Sequence, residues 1–245
     1  MGQGKNIIDD YRTVLASLKD YVEECIDLGF TELPKMNKPD DLNIMNYHSS
    51  KSDDLFASAN IMNYHSIPKN MEDIRLAVEN CQACPLCKTR KNVVFGAGNE
   101  EAKLVFVGEA PGADEDEQGK PFVGKAGQKL TQIINAIGLS RDEVYITNVL
   151  KCRPPNNRNP LPEEIRHCEP FLIAQLQIIK PETICALGTF AAQTLLKTDQ
   201  PISKLRGRFH TYQGIRLMPT YHPAFILRNP SYKRDVWEDV QKLIK

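Results

Sequence analysis

The residues best equipped for chemistry are seven cysteines, unevenly spaced. Cys81 and Cys84 form a C-x-x-C pair, and Cys84 and Cys87 form an equally good one. Cys152 and Cys168 follow. Cys152 sits in the loop KCRPPNNRNP, whose prolines and arginines make burial as a small apolar side chain a poor explanation. Four thiolates supplied by two loops can enclose a zinc ion or an iron–sulfur cluster. In a chain read as cytoplasmic, such a set favours metal or thiol chemistry over disulfides. Cys185, inside the apolar run TICALG, and Cys25, in an N-terminal helical pattern, read as inert.

Residues 102–127 run AKLVFVGEAPGADEDEQGKPFVGKAG. A strand-like stretch ends in a glycine-rich turn, the usual place for a phosphate, but Glu109, Asp114, Glu115, Asp116 and Glu117 would repel one. Neither common nucleotide fingerprint, GxxxxGK followed by Ser or Thr, or GxGxxG, is present. Glycines let the backbone approach a ligand closely. One or two of the carboxylates can orient a water molecule, with the others facing solvent. Phe122 is either core or a platform on which a planar ring stacks. Asn148, in TNVLKC, is either a turn or cap residue or a planar amide that reads a nucleobase edge. His222 precedes Pro223 in YHPAFILRNP, on a loop whose backbone the proline constrains. There Phe225, Ile226 and Leu227 make an apolar wedge of the kind that enters duplex DNA, with Arg228 behind them.

These groups need a scaffold. Strand patterns at 103–108, 144–150, 183–188 and 216–220 alternate with helical patterns at 125–138, 162–179, 189–197 and 234–244. The alternation predicts an α/β fold, a three-layer α/β/α sandwich around a central, mainly parallel sheet. Active sites on such sheets collect at the carboxyl ends of the strands, where Glu109, Asn148 and His222 fall. Residues 71–245 make this domain, opening with the amphipathic stretch MEDIRLAVEN. Ahead of it, residues 1–33 read as a helical segment. Residues 34–70 read as a flexible linker in which NIMNYHS occurs at 43–49 and again at 60–66. The repeat is either a local duplication in a tolerant linker or a short docking motif present twice.

Net charge is zero, yet residues 1–79 carry 8 Lys+Arg against 14 Asp+Glu, and residues 80–245 carry 23 against 17. A modestly basic domain fits a polyanion partner, though many enzymes without one look the same. No apolar run approaches the ~20 residues of a membrane span, and the N-terminus lacks a signal-peptide pattern. A cytoplasmic protein without a membrane anchor is expected.

Taken in order, GEAPGADEDEQGKPFVGKAG, TNVLKCRPPNNRNPLPEEIRHC and HPAFILRNP resemble the family 4 uracil-DNA glycosylases, the iron–sulfur branch of that superfamily. The resemblance runs from about residue 78 to residue 245 and leaves the first 70 residues outside it. It implies a 4Fe–4S cluster held by Cys81, Cys84, Cys152 and Cys168, with Cys87 spare. It implies catalytic roles for Glu109 and His222, with Glu115 a second candidate for orienting water. Phe122 becomes the ring that stacks on uracil and Asn148 the residue that reads it. Ala110 lines the uracil site where the better-known family 1 enzymes have a catalytic Asp. PPNNRNP replaces the KRRIH loop of the DNA-crosslinking relatives, and Glu109 departs from the GLAPA-type motif of the family 5 enzymes.

The reaction so implied is hydrolysis of the N-glycosidic bond of deoxyuridine in DNA, with the base flipped out of the duplex. Arg153, Arg158 and Arg228 are expected near DNA, and Leu227 is expected to fill the vacated space. The protein is expected to act as a monomer, and its acidic N-terminal segment to meet a repair or replication protein or its own basic domain. Two rival readings are a glycosylase for another damaged base and a non-enzymatic nucleic-acid-binding module built round zinc.

Overall fold

A computed structural model describes residues 70–244 of the chain. The expectations for residues 1–33, and for the repeat-bearing stretch up to residue 69, lie outside the described residues. Among the described residues, six strands form one sheet in the order β1-β3-β2-β4-β6-β5. They are β1 (Ala97–Gly98), β2 (Leu104–Gly108), β3 (Tyr145–Asn148), β4 (Thr183–Leu187), β5 (His210–Tyr212) and β6 (Ile215–Thr220). The four inner strands run parallel, and β1 and β5 pair antiparallel at the two edges.

Every residue of β2, β3 and β4 is buried. That is the signature of a parallel sheet covered on both faces. Side chains alternate between the faces. Val105, Val107, Ile184 and Ala186 pack in one cluster with residues of α1 (Met71–Glu79), α4 (Pro162–Ile179) and α5 (Thr189–Leu196). Leu104, Phe106, Cys185 and Leu187 pack in a second cluster with residues of α3 (Lys125–Ala136), α7 (Pro223–Arg228) and α8 (Lys233–Val240). Helix layers on both faces make the three-layer α/β/α sandwich that the alternation predicts.

The long elements begin and end within a few residues of their sequence patterns. Helix α1 starts at Met71 because Asn70 caps it, its Oδ1 accepting from the Asp73 N–H at 2.9 Å. The short pieces were not predicted. They are β1, β5, α2 (Ala113–Gln118) and α6 (Ile202–Leu205), with α7 where the wedge loop was expected. Strands β5 and β6 form a tight hairpin through Gln213 and Gly214, both at positive φ. A Gln-Gly pair supports that turn without the Asn-Gly or Asp-Gly signal that would announce it.

Candidate active site

The parallel register of β2 and β3 sets Gly108 beside Asn148 at the carboxyl rim. The ladder continues past both ends, with Val149 N–H donating to the Gly108 carbonyl at 2.9 Å and Leu150 N–H to that of Glu109 at 3.0 Å. A Cβ on Gly108 would lie 2.6 Å from Cζ of Phe122 and would also strike Oδ1 of Asn148. Gly108 therefore lets the Phe122 ring and the Asn148 amide close in on the end of β2.

Asn148 is 1 % exposed, and its Oδ1 has no hydrogen-bond partner. A buried acceptor left unpaired costs about 1–3 kcal/mol, so this one is poised to receive an N–H from a ligand. Its backbone is fixed from behind by a residue that sequence reading passed over. Lys151 is fully buried, and its Nζ donates to the Asn148 carbonyl at 2.8 Å, to Thr147 Oγ1 at 2.7 Å and to Gln175 Oε1 at 2.7 Å. All three ammonium donors are thus used. Burial pushes the Lys151 ammonium down to about 7. The sequence signal is slight: a lysine directly after the apolar pair Val149 and Leu150 in TNVLKC.

Phe122 is buried with φ at 52°, left-handed backbone that a bulky residue rarely adopts. Its neighbours explain why it persists. Glu115 Oε1 accepts from the N–H groups of Val123 (3.0 Å) and Gly124 (3.2 Å), and its Oε2 from Gly112 N–H at 3.2 Å. Arg141 Nη2 holds the Pro121 carbonyl at 2.9 Å. Gly127, in the first turn of α3, leaves room for the Phe122 carbonyl that any Cβ would strike. Glu115, expected as a second water-orienting carboxylate, has both oxygens committed to main-chain amides and holds the Phe122 turn.

His222 caps α7, with Pro223 as its first residue. Its Nδ1 accepts from Ala224 N–H at 3.1 Å. Burial, reinforced by the positive charge of Arg228, pushes the imidazole down to about 4. It is neutral at physiological pH, and since Nδ1 accepts, its proton resides on Nε2. The His222 ring lies 5.8 Å from that of Phe122, centroid to centroid. Gly188, at φ 93°, lets the end of β4 pass His222, because a Cβ there would come within 2.8 Å of the histidine Cβ.

Glu109 follows Gly108 directly, with Ala110 half-buried behind it. Burial pushes the Glu109 carboxyl up to about 7. No hydrogen bond or ion pair from the described residues holds it. Of the other acids, Asp114 and Glu117 are exposed, as expected, while Asp116 ties two segments together. Asp116 is buried and accepts from Lys91 N–H at 2.9 Å, and Glu117 pairs with Lys91. Asp114 abuts Gly124.

The residues expected to face DNA differ among themselves. Leu227 is 42 % exposed, while Ile226 beside it is 2 % exposed and belongs to the core, so of the expected wedge Leu227 projects from α7. Arg228 is exposed. Arg158 is engaged in a two-pronged ion pair with buried Glu164 at 2.9 and 2.6 Å, and Arg153 Nε donates to Asn157 Oδ1 at 2.7 Å.

Cys81, Cys84, Cys152 and Cys168 line one cavity together with Cys87 and the apolar side chains of Val78, Leu86 and Phe171. Arg90 Nη1 donates to Cys152 Sγ and Lys151 N–H to Cys168 Sγ, both at 3.2 Å. Burial pushes the Cys168 thiol up to about 12 and raises that of Cys152. The described cysteines form no disulfide. Among the described residues no three His, Cys, Asp or Glu side chains converge tightly enough to hold a single metal ion. His167, adjacent to Cys168 in sequence, also lines this cavity and keeps a buried Nδ1 without a partner.

Residues 95–241 match the family model of the uracil DNA glycosylase superfamily. The chain belongs to that superfamily. A type-4 uracil-DNA glycosylase of Archaeoglobus fulgidus is 44 % identical over 71 % of this chain and 92 % of its own length. One from Saccharolobus solfataricus is 47 % identical over 71 % and 85 %, and one from Thermotoga maritima 47 % identical over 70 % and 92 %. As a uracil-DNA glycosylase superfamily fold, the sheet brings Glu109, Phe122, Asn148 and His222 to one rim. The cysteine cavity lies directly behind, joined to Asn148 through Lys151. No helix among the described residues is long and apolar enough to cross a membrane.

Proposed function

We propose that this chain hydrolyses the N-glycosidic bond of deoxyuridine in DNA, releasing uracil and leaving an abasic site. The observation that carries the reading is the unpaired, buried Oδ1 of Asn148 beside the Phe122 ring, with neutral His222 close by. Relatives named for this activity support it.

A uracil extruded from the helix stacks on Phe122. Its N3–H pairs with Asn148 Oδ1 and its O4 with the amide nitrogen. Cytosine offers an acceptor at N3 and a donor at the exocyclic nitrogen, so it would leave both groups buried and unpaired. As the glycosidic bond lengthens, electrons flow into the ring and negative charge grows on uracil O2. The Nε2–H of His222 donates to that oxygen, and a neutral donor fixed beforehand suits a developing anion. One donor of this kind is worth roughly 3 kcal/mol. The sugar left behind is cationic. Glu109, ionised, stabilises it, orients the attacking water and takes a proton from it as the water oxygen bonds to C1′; that proton is the one that finally neutralises the released uracil anion. Leu227 enters the space the base vacated, and Arg228 meets the backbone.

Cys81, Cys84, Cys152 and Cys168 would hold a 4Fe–4S cluster, which supplies a structural cross-link and no electron to the hydrolysis. Four cysteines around one cavity supply the all-thiolate ligand set that such a cluster takes. Thiols raised by burial release their protons on binding it. Cys87 lines the same cavity and is a spare thiol in this reading. We place the protein in the cytoplasm as a monomeric enzyme of base-excision repair that meets a repair or replication partner through its acidic N-terminal sequence.

The test is a strand-incision assay on an oligonucleotide panel carrying uracil and other base lesions. Uracil is excised, and Asn148→Ala and His222→Ala each lower excision at least ~100-fold while DNA binding persists. Protein with its chromophore intact that leaves every uracil strand uncut would defeat the reading.

A further inference from the structure

His222 has a second neighbour besides the uracil recess. At the carboxyl ends of β4 and β6 lies a cavity of about 290 Å³ lined by Gly188, Thr189, Tyr221, His222, Phe225 and Tyr232. Three of its walls are aromatic and mutually engaged. Tyr221 and Phe225 stack at 5.0 Å, and Tyr232 meets them edge-on at 5.0 and 5.1 Å. The Arg206 guanidinium lies 5.4 Å from the Tyr221 ring. Tyr232 is 37 % exposed, so the set opens to solvent. Nothing in the glycosidic chemistry uses these rings.

We infer that this cavity is a second base-binding subsite, which takes the nucleobase next to the extruded uridine on the same strand. The inference rests on the proposed function for the identity of the strand. Its own support is continuity. Tyr221 and His222 are consecutive residues, so the rings that would hold the flanking base begin one residue from the group that contacts uracil. Phe225 and the wedge residue Leu227 share the short helix α7, which ties the subsite to the duplex-entering tip. A planar base meets the exposed Tyr232 ring, with Phe225 beside it, irrespective of its sequence, because every base has a π-face, and such stacking is worth about tenfold or more in affinity per base. Extruding a uridine unstacks its neighbours, and a subsite for one of them recovers part of that loss. Tyr232 and Phe225 are therefore binding residues for the flanking nucleotide.

The experiment is a cycle of equilibrium binding measurements with full-length protein and oligonucleotides containing a non-hydrolysable 2′-fluoro-deoxyuridine. The bases on either side of it are replaced in turn by an abasic tetrahydrofuran. Removing the base on one side weakens wild-type binding roughly tenfold, and Tyr232→Ala weakens binding to the intact oligonucleotide by a similar factor. Combining the two gives little further loss, because both remove one contact. Tyr232→Phe keeps the ring and binds as wild type, which separates stacking from the hydroxyl. Additive losses on both sides, or a Tyr232→Ala protein that binds like wild type, would overturn the subsite. Wild-type excision of ordinary deoxyuridine is scored separately, so a failed subsite and a failed assignment of the reaction are told apart.

Discussion

The ammonium of Lys151 hydrogen-bonds the main-chain carbonyl of Asn148 at 2.8 Å, from a site with no solvent exposure. Its own main-chain N–H reaches Cys168 Sγ at 3.2 Å. One residue thus touches both the strand end proposed to read the base and the cysteine cavity. In that proposal rigidity at Asn148 underlies discrimination, because a mobile amide could turn over and accept cytosine.

Lys151→Met should therefore lower uracil excision about tenfold and narrow the preference for uracil over cytosine. Stability should also fall, by about 1–3 kcal/mol, because the Asn148 carbonyl, Thr147 Oγ1 and Gln175 Oε1 lose a buried donor. Steady-state kinetics on both bases, with a thermal melt, check this. Unchanged kinetics would remove Lys151 from the positioning of Asn148.

The Glu109 carboxyl, ordinarily near 4.5, is pushed up to about 7 by burial, and its ionised form is the one assigned to the sugar cation. Activity should therefore climb as pH rises through about 7. His222 is already neutral above about 4 and should add no falling limb. The stability effect has the opposite sign. Between 4.5 and 7 the folded chain keeps a proton that the unfolded chain has lost, so the contribution is full below 4.5 and lost as pH rises through 7. Glu109→Gln should lose most activity and flatten the pH profile, while its melting temperature gains on wild type at pH 8 relative to pH 5. A wild-type pH profile retained by Glu109→Gln would assign the limb to another group.

Gly108→Ala tests the recess by volume alone. The added methyl lies 2.6 Å from Phe122 Cζ and also strikes Asn148 Oδ1, so ring and amide must move. Overpacking of this kind costs about 1–3 kcal/mol. Excision should fall ~100-fold, with KM for uracil-containing DNA raised and binding to undamaged DNA unaltered. A Gly108→Ala enzyme with wild-type kcat/KM would place uracil elsewhere.

Cys152→Ser should abolish visible absorbance near 400 nm and lower the melting temperature by at least ten degrees, because the segment holding Cys81 and Cys84 loses its tie to the 152–168 loop. Cys87→Ser should keep both. A colourless wild-type protein containing zinc would correct the metal.

Much of the scaffold was legible along the chain. The parallel core strands are short, largely apolar runs of four to six residues separated by helical periods, and burial of β2, β3 and β4 along their whole length fits a sheet covered on both faces. Edge strands β1 and β5 were not legible. They are two and three residues long and draw their pairing from a neighbour. The α7 turn was read as a loop because His222 and Pro223 look like a break, whereas proline at the first helical position starts a helix.

Residue types and spacing by themselves determined which side chains could act: a C-x-x-C with two later cysteines, Glu109 after a strand, and an asparagine and a histidine at strand ends. Tertiary structure decided which of them are free to act. Glu115 and Arg158 look as available as Glu109 and Arg228 on the page, yet backbone amides occupy the first and Glu164 the second. Lys151 and Gly108 acquire their meaning only when β3 lies beside β2. Hydrogen-bond partners and desolvation are properties of residues brought together from far apart in the chain, and those set the charge of Glu109, the tautomer of His222 and the unpaired oxygen of Asn148.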